Sequence, residues 1–154
     1  MKNPNKIKMG KNSRAKGKAF ELKVRHDLEK LGWIVCKWSN NVEFSVGLTT
    51  KVNEFGQLIP DGISITRLVP AKHTFNPFRK AMSAGNGFPD FICLKHWDTK
   101  DNSEWHVKLV ESKITGKLDK IEKDKIEWIK TNLKIPVIIA SKSEKRGVIN
   151  YDEQ

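Results

Sequence analysis

The sequence predicts an α/β fold, in which a mixed β-sheet is flanked by helices. Helical periodicity occurs in residues 13–31 and again in residues 117–133. Short apolar runs typical of strands occur at 90–94, 106–112 and 135–140. Because helices and strands alternate along a chain of ordinary domain length, we expect the helices to pack on one sheet.

The first helix is predicted from the spacing of its apolar side chains. Phe20, Val24, Leu28 and Leu31 recur at intervals of four, four and three, which places them on one face of a helix. Gly32 follows directly and is predicted to cap the C-terminus. The stripe therefore predicts a helix whose buried face ends at this glycine.

A strand and a longer, less regular segment follow this helix. Residues 33–38 are rich in β-branched and aromatic side chains and predict a strand. Residues 42–86 contain short apolar runs separated by turn-like sequences, which predict a β-hairpin or a pair of irregular strands. We expect this segment to be a β-rich insertion into the domain.

The second half of the chain predicts a hairpin, a helix and a buried strand. Residues 90–94 and 106–112 are joined by a polar turn, which favours antiparallel pairing. In the helix at 117–133 the predicted buried face is formed by Ile121, Lys125, Trp128 and Ile129. Residues 135–140 are almost wholly apolar and predict a strand buried on both faces. A short edge strand is predicted near residues 148–149.

Length and charge limit the possible functions. We expect the 154 residues to form one domain, residues 1–154. The net charge of +11 favours a polyanionic partner, with nucleic acid as the first choice and a membrane surface as the second. Residues 1–18 hold only basic charges and predict a flexible arm, which either follows phosphates or only raises solubility.

No apolar segment reaches the length of a membrane span, and the N-terminus lacks the apolar core of a signal peptide. The chain is therefore expected to be cytoplasmic and to have no membrane partner. Cys36 and Cys93 both lie in apolar runs and are predicted to be reduced core residues rather than zinc ligands. The spacing of the four histidines matches no zinc motif.

A candidate active site is predicted where the two central strands approach each other. Glu111 and Lys113 point to one face of a strand because side chains alternate, and Asp90 reaches the same place if the strands pair. Two carboxylates, with the Ser112 carbonyl as a further oxygen, are ligands suited to Mg²⁺, for which Mn²⁺ can substitute. Lys113 is predicted to orient or deprotonate a water.

Two other places in the sequence carry the same letters. Glu21-Leu22-Lys23 is also acid-x-lysine, but it falls on a helix, where residues two apart do not face each other. Pro60-Asp61 opens a less apolar run than Pro89-Asp90 does. The prediction therefore prefers Asp90 over Asp61.

Several cations are candidate substrate-binding residues. Residues 72–80 interleave cations with aromatic rings, which suits a nucleic-acid groove, although two phenylalanines that fill the core explain the pattern equally well. His73 is the one histidine predicted to contact a phosphate. The candidates are Lys16, Lys18, Lys72, His73, Arg79 and Lys80.

The order of these motifs resembles a known group of enzymes. Gly87-Phe88-Pro89-Asp90, then Glu111-Ser112-Lys113, then a helix and an apolar strand resemble the PD-(D/E)xK nuclease superfamily. Within it the chain is most similar to archaeal Holliday junction resolvases and virus-type replication-repair nucleases. The resemblance implies a restriction-endonuclease-like core, Mg²⁺-dependent cleavage of branched DNA in recombination or repair, and a homodimer.

The resemblance also extends to single residues. It implies that Glu21 is the glutamate that the first helix brings near the metal, and that Ser39 matches the serine in the loop after the first strand. Lys125, three residues before Trp128, stands where the virus-type nucleases often carry a glutamine. Residues 42–86 are longer than the corresponding resolvase segment, so junction specificity is an open question.

Three hypotheses follow. The first is a metal-dependent DNA endonuclease that is selective for DNA structure. The second is a nucleic-acid-binding protein that keeps the fold but does not cleave. The third is a restriction or mobile-element endonuclease that reads sequence through residues 42–86.

Overall fold

A five-stranded sheet forms the centre of the molecule in the computed structural model, which describes residues 4–52, 54–56, 58–76, 80–83, 87–100 and 102–154. The elements in chain order are α1 (Pro4–Lys30), β1 (Ile34–Lys37), β2 (Asn40–Val52), β3 (Leu58–Pro70), β4 (Thr74–Asn76), β5 (Ala81–Ser83), β6 (Phe91–Asp98), β7 (Ser103–Ser112), α2 (Lys120–Leu133), β8 (Val137–Lys142) and β9 (Ile149–Glu153).

The sheet is mixed, as predicted. Its strand order is β1-β6-β7-β8-β9, and all neighbours are antiparallel except β7 and β8. Those two parallel strands are joined through α2, because parallel neighbours need a crossover connection. The chain is therefore an α/β protein, and the predicted order of helices and strands is confirmed.

The two helices cover opposite faces of the sheet. Val110 packs in the cluster that includes α1, whereas its neighbour Leu109 packs in the cluster that includes α2, as expected for alternating side chains. The α1 cluster contains Phe20, Val24, Leu28, Val35, Phe91, Cys93, Val110 and Ala140. The α2 cluster contains Val42, Phe88, Leu109, Ile126, Ile129, Val137 and Ile139.

Helix α1 ends where the sequence predicted. Gly32 has φ +82°, its N–H donates to the Glu29 carbonyl, and the Trp33 N–H donates to the Leu28 carbonyl. These bonds form a Schellman motif, for which a glycine is best suited. Leu31 was predicted to be buried, but it is 54% exposed because the helix has already ended.

Three other predictions needed correction. Helix α1 begins at Pro4 rather than near residue 13, so it includes most of the basic arm. Cys36 is exposed because β1 is an edge strand and only Val35 of that strand is buried, whereas Cys93 is buried as predicted. The edge strand predicted near 148–149 continues to Glu153 as β9.

The buried face of α2 also differs from the prediction. Ile126 and Ile129 are buried, whereas Ile121 is 60% exposed because it lies in the first turn, beyond the edge of the packed face. The hydrophobic stripe is therefore shifted by about one position from the predicted one. This shift makes Glu122 partly buried, and it contacts Lys113 just after the end of β7.

The segment after β1 contains a hairpin, which confirms one of the two predictions for it. Strands β2 and β3 pair antiparallel from Asn40↔Pro70 to Val52↔Leu58 and form a separate sheet. Strands β4 and β5 form another. Within the described part of the chain, no helix is long and apolar enough to cross a membrane.

Candidate active site

The loop that carries Asp90 is held against the end of β1 by the backbone. The Phe88 N–H donates to the Asn40 carbonyl at 2.9 Å, and the Trp38 N–H donates to the Asp90 carbonyl at 3.0 Å. Gly87 permits this approach, because a Cβ atom there would lie 2.3 Å from the Trp38 oxygen. The close contact therefore fixes Asp90 at the start of β6.

The Asp90 carboxylate joins two strands. Its Oδ2 accepts a hydrogen bond from the Ser112 N–H at 3.0 Å, and its Oδ1 lies 3.2 Å from the Lys37 Nζ. Phe91 pairs with both Lys37 and Val110, so Asp90 sits just beyond the last pair on either side. This position brings Asp90 next to the end of β7, as the sequence predicted.

Lys37 connects Asp90 to the first helix. Its Nζ lies 2.6 Å from the Glu21 Oε1 and 3.2 Å from Asp90. Burial lowers the pKa of Lys37, but its hydrogen bond to Glu21 and the charge of Asp90 outweigh that effect and raise it. Glu21 is thus linked to Asp90 by its contact with Lys37. The sequence analysis did not select Lys37, because a single cation in a strand carries no local signal.

Glu111 is the buried acid of the site, with only 7% of its surface exposed. Its pKa is raised to about 8, mainly by burial and next by the charge of Asp90, with a smaller contribution from Glu122, while Lys113 opposes the shift. Both Asp90 and Glu111 therefore lie close enough for their charges to interact. A carboxyl with this pKa holds a proton at neutral pH unless a cation compensates its charge.

Lys113 lies between two carboxylates. Its Nζ is 3.5 Å from the Glu111 Oε1 and makes a short contact with the Glu122 Oε1. Burial lowers the pKa of Lys113, but the hydrogen bond to Glu122 and the charge of Glu111 raise it above the usual value. Lys113 is therefore a cation at neutral pH.

Glu122 has a second role in the cap of α2. Its Oε2 accepts from the Asp119 N–H at 3.0 Å, and the Asp119 Oδ1 accepts from the Glu122 N–H at 2.8 Å. This reciprocal pair is a capping box. The sequence analysis selected neither acid, although the spacing Asp119-x-x-Glu122 before an apolar run is a signal that locates the cap.

Ser112 contributes its backbone rather than its side chain. The Lys113 N–H donates to Ala140 of β8, and the Leu109 N–H donates to Pro136 just before it. Backbone groups alternate sides along a strand, so Ser112 directs its N–H and carbonyl to the opposite side, toward Asp90. Its Oγ is buried with no hydrogen-bond partner among the described residues. The carbonyl of Ser112 is thus on the edge where the metal was predicted.

The donor set fits a divalent cation with oxygen ligands. Mg²⁺ is commonly held by one or two carboxylates and keeps several waters, so Asp90 and Glu111 with the Ser112 carbonyl are sufficient. A bound cation would offset both main causes of the raised Glu111 pKa, the burial of its charge and the repulsion from Asp90. Within the described ranges, no three His, Cys, Asp or Glu side chains form a group that could hold a metal.

A basic groove adjoins this site along α1. It has a volume of about 680 Å³ and contains Glu21 together with four cations. The cations are Arg14, Lys18, Arg25 and Lys37. Lys18 was predicted as a substrate-binding residue, whereas Arg14 and Arg25 lie on the same side of the helix and were not selected. Lys16 is exposed on α1 but does not line the groove.

The remaining candidates lie elsewhere. Ser39 is exposed, and its carbonyl accepts from the Ala71 N–H at 2.8 Å. Lys72 lies 3.6 Å from Glu43 and is 86% exposed at its side chain. His73 and Lys80 are exposed, and Arg79 falls outside the described residues. Lys72 is therefore paired with Glu43 of β2.

Lys125 lies on α2 and contacts residues near Asp90. Its Nζ donates to the Asn41 Oδ1 at 2.7 Å and lies 5.5 Å from the centre of the Phe88 ring. It therefore contacts the loop that carries Asp90 rather than the acids themselves. The rival acid Asp61 belongs to β3 in the separate hairpin sheet, which supports the choice of Asp90.

No protein-family model matches the chain, and neither the curated proteins nor the solved structures include a significant match.

Proposed function

We propose that the chain is a Mg²⁺-dependent DNA endonuclease that cleaves structured DNA, with branched DNA as its substrate. The observation that supports this most is the buried Glu111, whose pKa of about 8 reflects its burial and the nearby Asp90 charge. A buried acid beside a second acid costs stability, so its presence next to a lysine in a basic protein calls for a functional reason.

The chemistry needs charge neutralisation at the phosphate and an activated water. Mg²⁺ held by Asp90, Glu111 and the Ser112 carbonyl would supply both when bound. Lys113 is protonated at neutral pH, so its role is to orient the water by donation and to stabilise negative charge on the phosphate, not to remove the proton. Glu21 holds Lys37 beside Asp90, where that ammonium can bind the neighbouring phosphate.

The basic groove supplies the binding energy for the flanking strand. Arg14, Lys18 and Arg25 line it next to Lys37, and cations in such a row neutralise successive phosphates. Lys37 lines the groove and lies 3.2 Å from Asp90, so the groove is continuous with the site of the acids. This continuity between a phosphate-binding surface and two acids favours cleavage of a phosphodiester over other hydrolytic reactions.

The test is nicking of a labelled four-way junction and of plain duplex, with Mg²⁺ and with EDTA. We expect metal-dependent cleavage that falls at least 100-fold in Asp90→Asn and Glu111→Gln, the order of loss expected when a charge-stabilising group is removed. Asp61→Asn, which changes the rival Pro-Asp pair, is the matched control and should retain activity. Unchanged cleavage by both site variants would refute the assignment.

Metal binding has a readout independent of activity. We expect Mg²⁺ to raise the melting temperature of the wild-type protein at pH 7.5 and to have little effect on the Glu111→Gln variant, because ligand binding to the native state stabilises it. Calorimetric unfolding with and without Mg²⁺ measures the difference. An equal increase in both proteins would mean that the metal binds elsewhere.

A second function is favoured by one observation. The two acids already pair with Lys37 and Lys113, whose ammonium groups supply positive charge at the place where a metal would bind. A protein that binds nucleic acid on this fold without cleaving it is the alternative. DNA binding in EDTA with no product in Mg²⁺ or Mn²⁺ on any DNA structure would establish it.

The proposed enzyme acts as a homodimer, since symmetric cuts in a four-way junction need two sites. Mass measurement in solution, with and without junction DNA, tests this. A monomer at all concentrations that nevertheless cuts both strands would contradict it.

A further inference from the structure

The hairpin formed by β6 and β7 extends beyond the rest of the sheet. The ladder between β1 and β6 ends at Ile34↔Leu94, and the ladder between β7 and β8 begins at Leu109↔Val137. The four outer pairs, from Lys95↔His106 to Asp98↔Ser103, belong only to the β6–β7 ladder. At about 3.3 Å per residue this projecting part is about 13 Å long.

The projecting part carries one tryptophan on each face. His96 pairs with Trp105 and shares its face, whereas Trp97 is one position on and points to the other. Each indole stacks on a histidine of the opposite strand, with ring centres 4.9 Å apart for His96 with Trp105 and 4.9 Å for Trp97 with His106. Trp97 is 51% and Trp105 59% exposed.

Stability alone accounts for only part of this arrangement. Cross-strand ring pairs stabilise a hairpin that has no neighbouring strands. That purpose does not require both of the largest side chains to keep about half of their surface in water. Two exposed rings on opposite faces of one projection form a wedge on which planar groups can stack from either side.

Two lysines lie at the base of the wedge on the face of Trp97. The Lys95 Nζ is 5.7 Å from the centre of the Trp97 ring and donates to the Leu31 carbonyl, and the Lys108 Nζ is 3.9 Å from the Trp33 ring. Neither takes part in an ion pair among the described residues, whereas the nearby Glu104 is bonded to His106. Burial is the main cause that lowers the pKa of Lys108, and the charge of Lys95 adds to it.

We propose that this wedge binds the unpaired bases at the branch point of DNA, which stack on Trp97 and Trp105 while Lys95 and Lys108 hold adjacent phosphates. Rings beside cations are the combination that binds single-stranded nucleic acid. The inference rests on the proposed function in taking DNA as the substrate. It adds the part of the DNA that is recognised and the element that recognises it.

The geometry gives the spacing between the branch point and the cut. Asp90 directly precedes β6, and Trp97 lies seven positions further along it, or about 23 Å away. At about 3.4 Å per nucleotide step, this corresponds to roughly seven base pairs of duplex between the wedge and the scissile phosphate. Helix α1 runs along part of this distance, from Glu21 near the acids to its C-terminal end, where the Leu31 carbonyl accepts from Lys95.

The test measures binding in EDTA, so that cleavage plays no part. The probes are a fluorescent forked duplex with two unpaired arms and a blunt duplex of the same paired length, read by anisotropy with the full chain. We expect wild type to prefer the fork. Trp97→Ile and Trp105→Ile, which keep a strand-forming side chain but lose the ring, should each weaken fork binding about 5- to 100-fold and leave blunt duplex binding unchanged.

Matched variants separate stacking from hairpin stability. Phenylalanine at either position should restore most of the fork affinity because it retains a ring, and Val148→Ala, an exposed apolar residue before β9, should have no effect. Quenching of tryptophan fluorescence by the fork should be lost in the double isoleucine variant. If the isoleucine variants had only lost folding stability, they would bind both probes more weakly.

Several outcomes would overturn the inference. These are isoleucine variants that bind the fork as wild type does, equal losses on both probes, no fork preference in wild type, or a change from dimer to monomer in the double variant, which would mark the wedge as a contact between two copies. Fork-specific losses without metal-dependent cleavage by wild type would refute the nuclease and keep the wedge. Metal-dependent cleavage by wild type, together with unaltered fork binding in the variants, would refute the wedge and keep the nuclease.

Discussion

Glu111 differs from a surface acid because it is shielded from water and lies beside another carboxylate. Its pKa of about 8 compares with an ordinary value of 4.5, and burial is the largest cause. Since the folded state holds the proton more tightly than the unfolded state, ionisation of Glu111 costs stability. Charged Glu111 therefore lowers the stability of the folded protein and does not contribute to it.

Stability should fall as pH rises between about 4.5 and 8. Below this range both states bind the proton, within it only the folded state does, and above it the full cost is present. Glu111→Gln removes this dependence and should stabilise the protein by up to about 4 kcal/mol at pH 8.5, with little effect at pH 4. Urea unfolding of both proteins at the two pH values measures the difference.

Glutamine at position 111 is a near match in shape, so packing contributes little to that comparison. An identical stability difference at both pH values would show that Glu111 ionises normally in the folded protein.

Glu122 positions Lys113 through its charge. Glu122→Gln keeps an acceptor for the Asp119 N–H but removes the charge that raises the pKa of Lys113 and of Glu111. Both pKa values should fall, and the pH–rate profile of cleavage should shift to lower pH. NMR titration of Lys113 and the rate profile together test this.

The control for that variant is Asp119→Ala, which removes the other half of the capping box. It should cost about 1 kcal/mol of stability and leave the profile in place. The same shift in both variants would mean that the helix cap, and not the charge of Glu122, controls Lys113.

The loop before β6 depends on a close backbone approach that only glycine permits. A Cβ atom at position 87 would lie 2.3 Å from the Trp38 oxygen and 2.6 Å from the Asn40 oxygen. Backbone atoms cannot yield as a flexible side chain does. The loop would have to move, and Asp90 would move with it.

Gly87→Ala should therefore destabilise the protein by about 1–3 kcal/mol and impair metal-dependent cleavage. Gly17→Ala is the matched control, because no atom lies within 4 Å of a Cβ atom there and alanine favours a helix by about 1 kcal/mol. Thermal unfolding and nicking assays of the two variants provide the comparison. Normal stability and cleavage in Gly87→Ala would contradict the role given to this contact.

The cations of the basic groove lie on the side of the sheet that α1 covers. The groove on the α1 face holds four cations and one acid, whereas Lys130 lies on α2 across the sheet. If the groove carries DNA, its cations determine how affinity depends on salt. Each phosphate contact contributes about 0.9 to the slope of log K against log salt.

The double variant Arg14→Ala, Lys18→Ala should lower the magnitude of that slope by about 2 on blunt duplex, because two phosphate contacts are lost. Lys130→Ala should leave the slope close to that of wild type. Anisotropy titrations at salt concentrations between about 50 and 200 mM measure the slope for each protein. Equal slopes for all three proteins would place the DNA elsewhere.

Much of the fold followed from local patterns. The periods of α1 and α2, the hairpin β6–β7 and the buried strand β8 were predicted because each depends on neighbours within a few residues. The phase of α2 was not, since Ile121 and Ile126 are equally apolar and only the sheet decides which is covered. The histidine partners of Trp97 and Trp105 likewise became visible only in the paired hairpin, because the register decides which rings face each other.

The local order of residues was enough to place Asp90, Glu111 and Lys113 at strand ends, because strand alternation is a property of the backbone. Long-range packing decided the rest. Lys37 meets Glu21 and Asp90 across 16 and 53 positions, and no local pattern encodes those distances. The pKa of Glu111 likewise depends on burial, which exists only after the sheet, α2 and the loop at Gly87 have assembled.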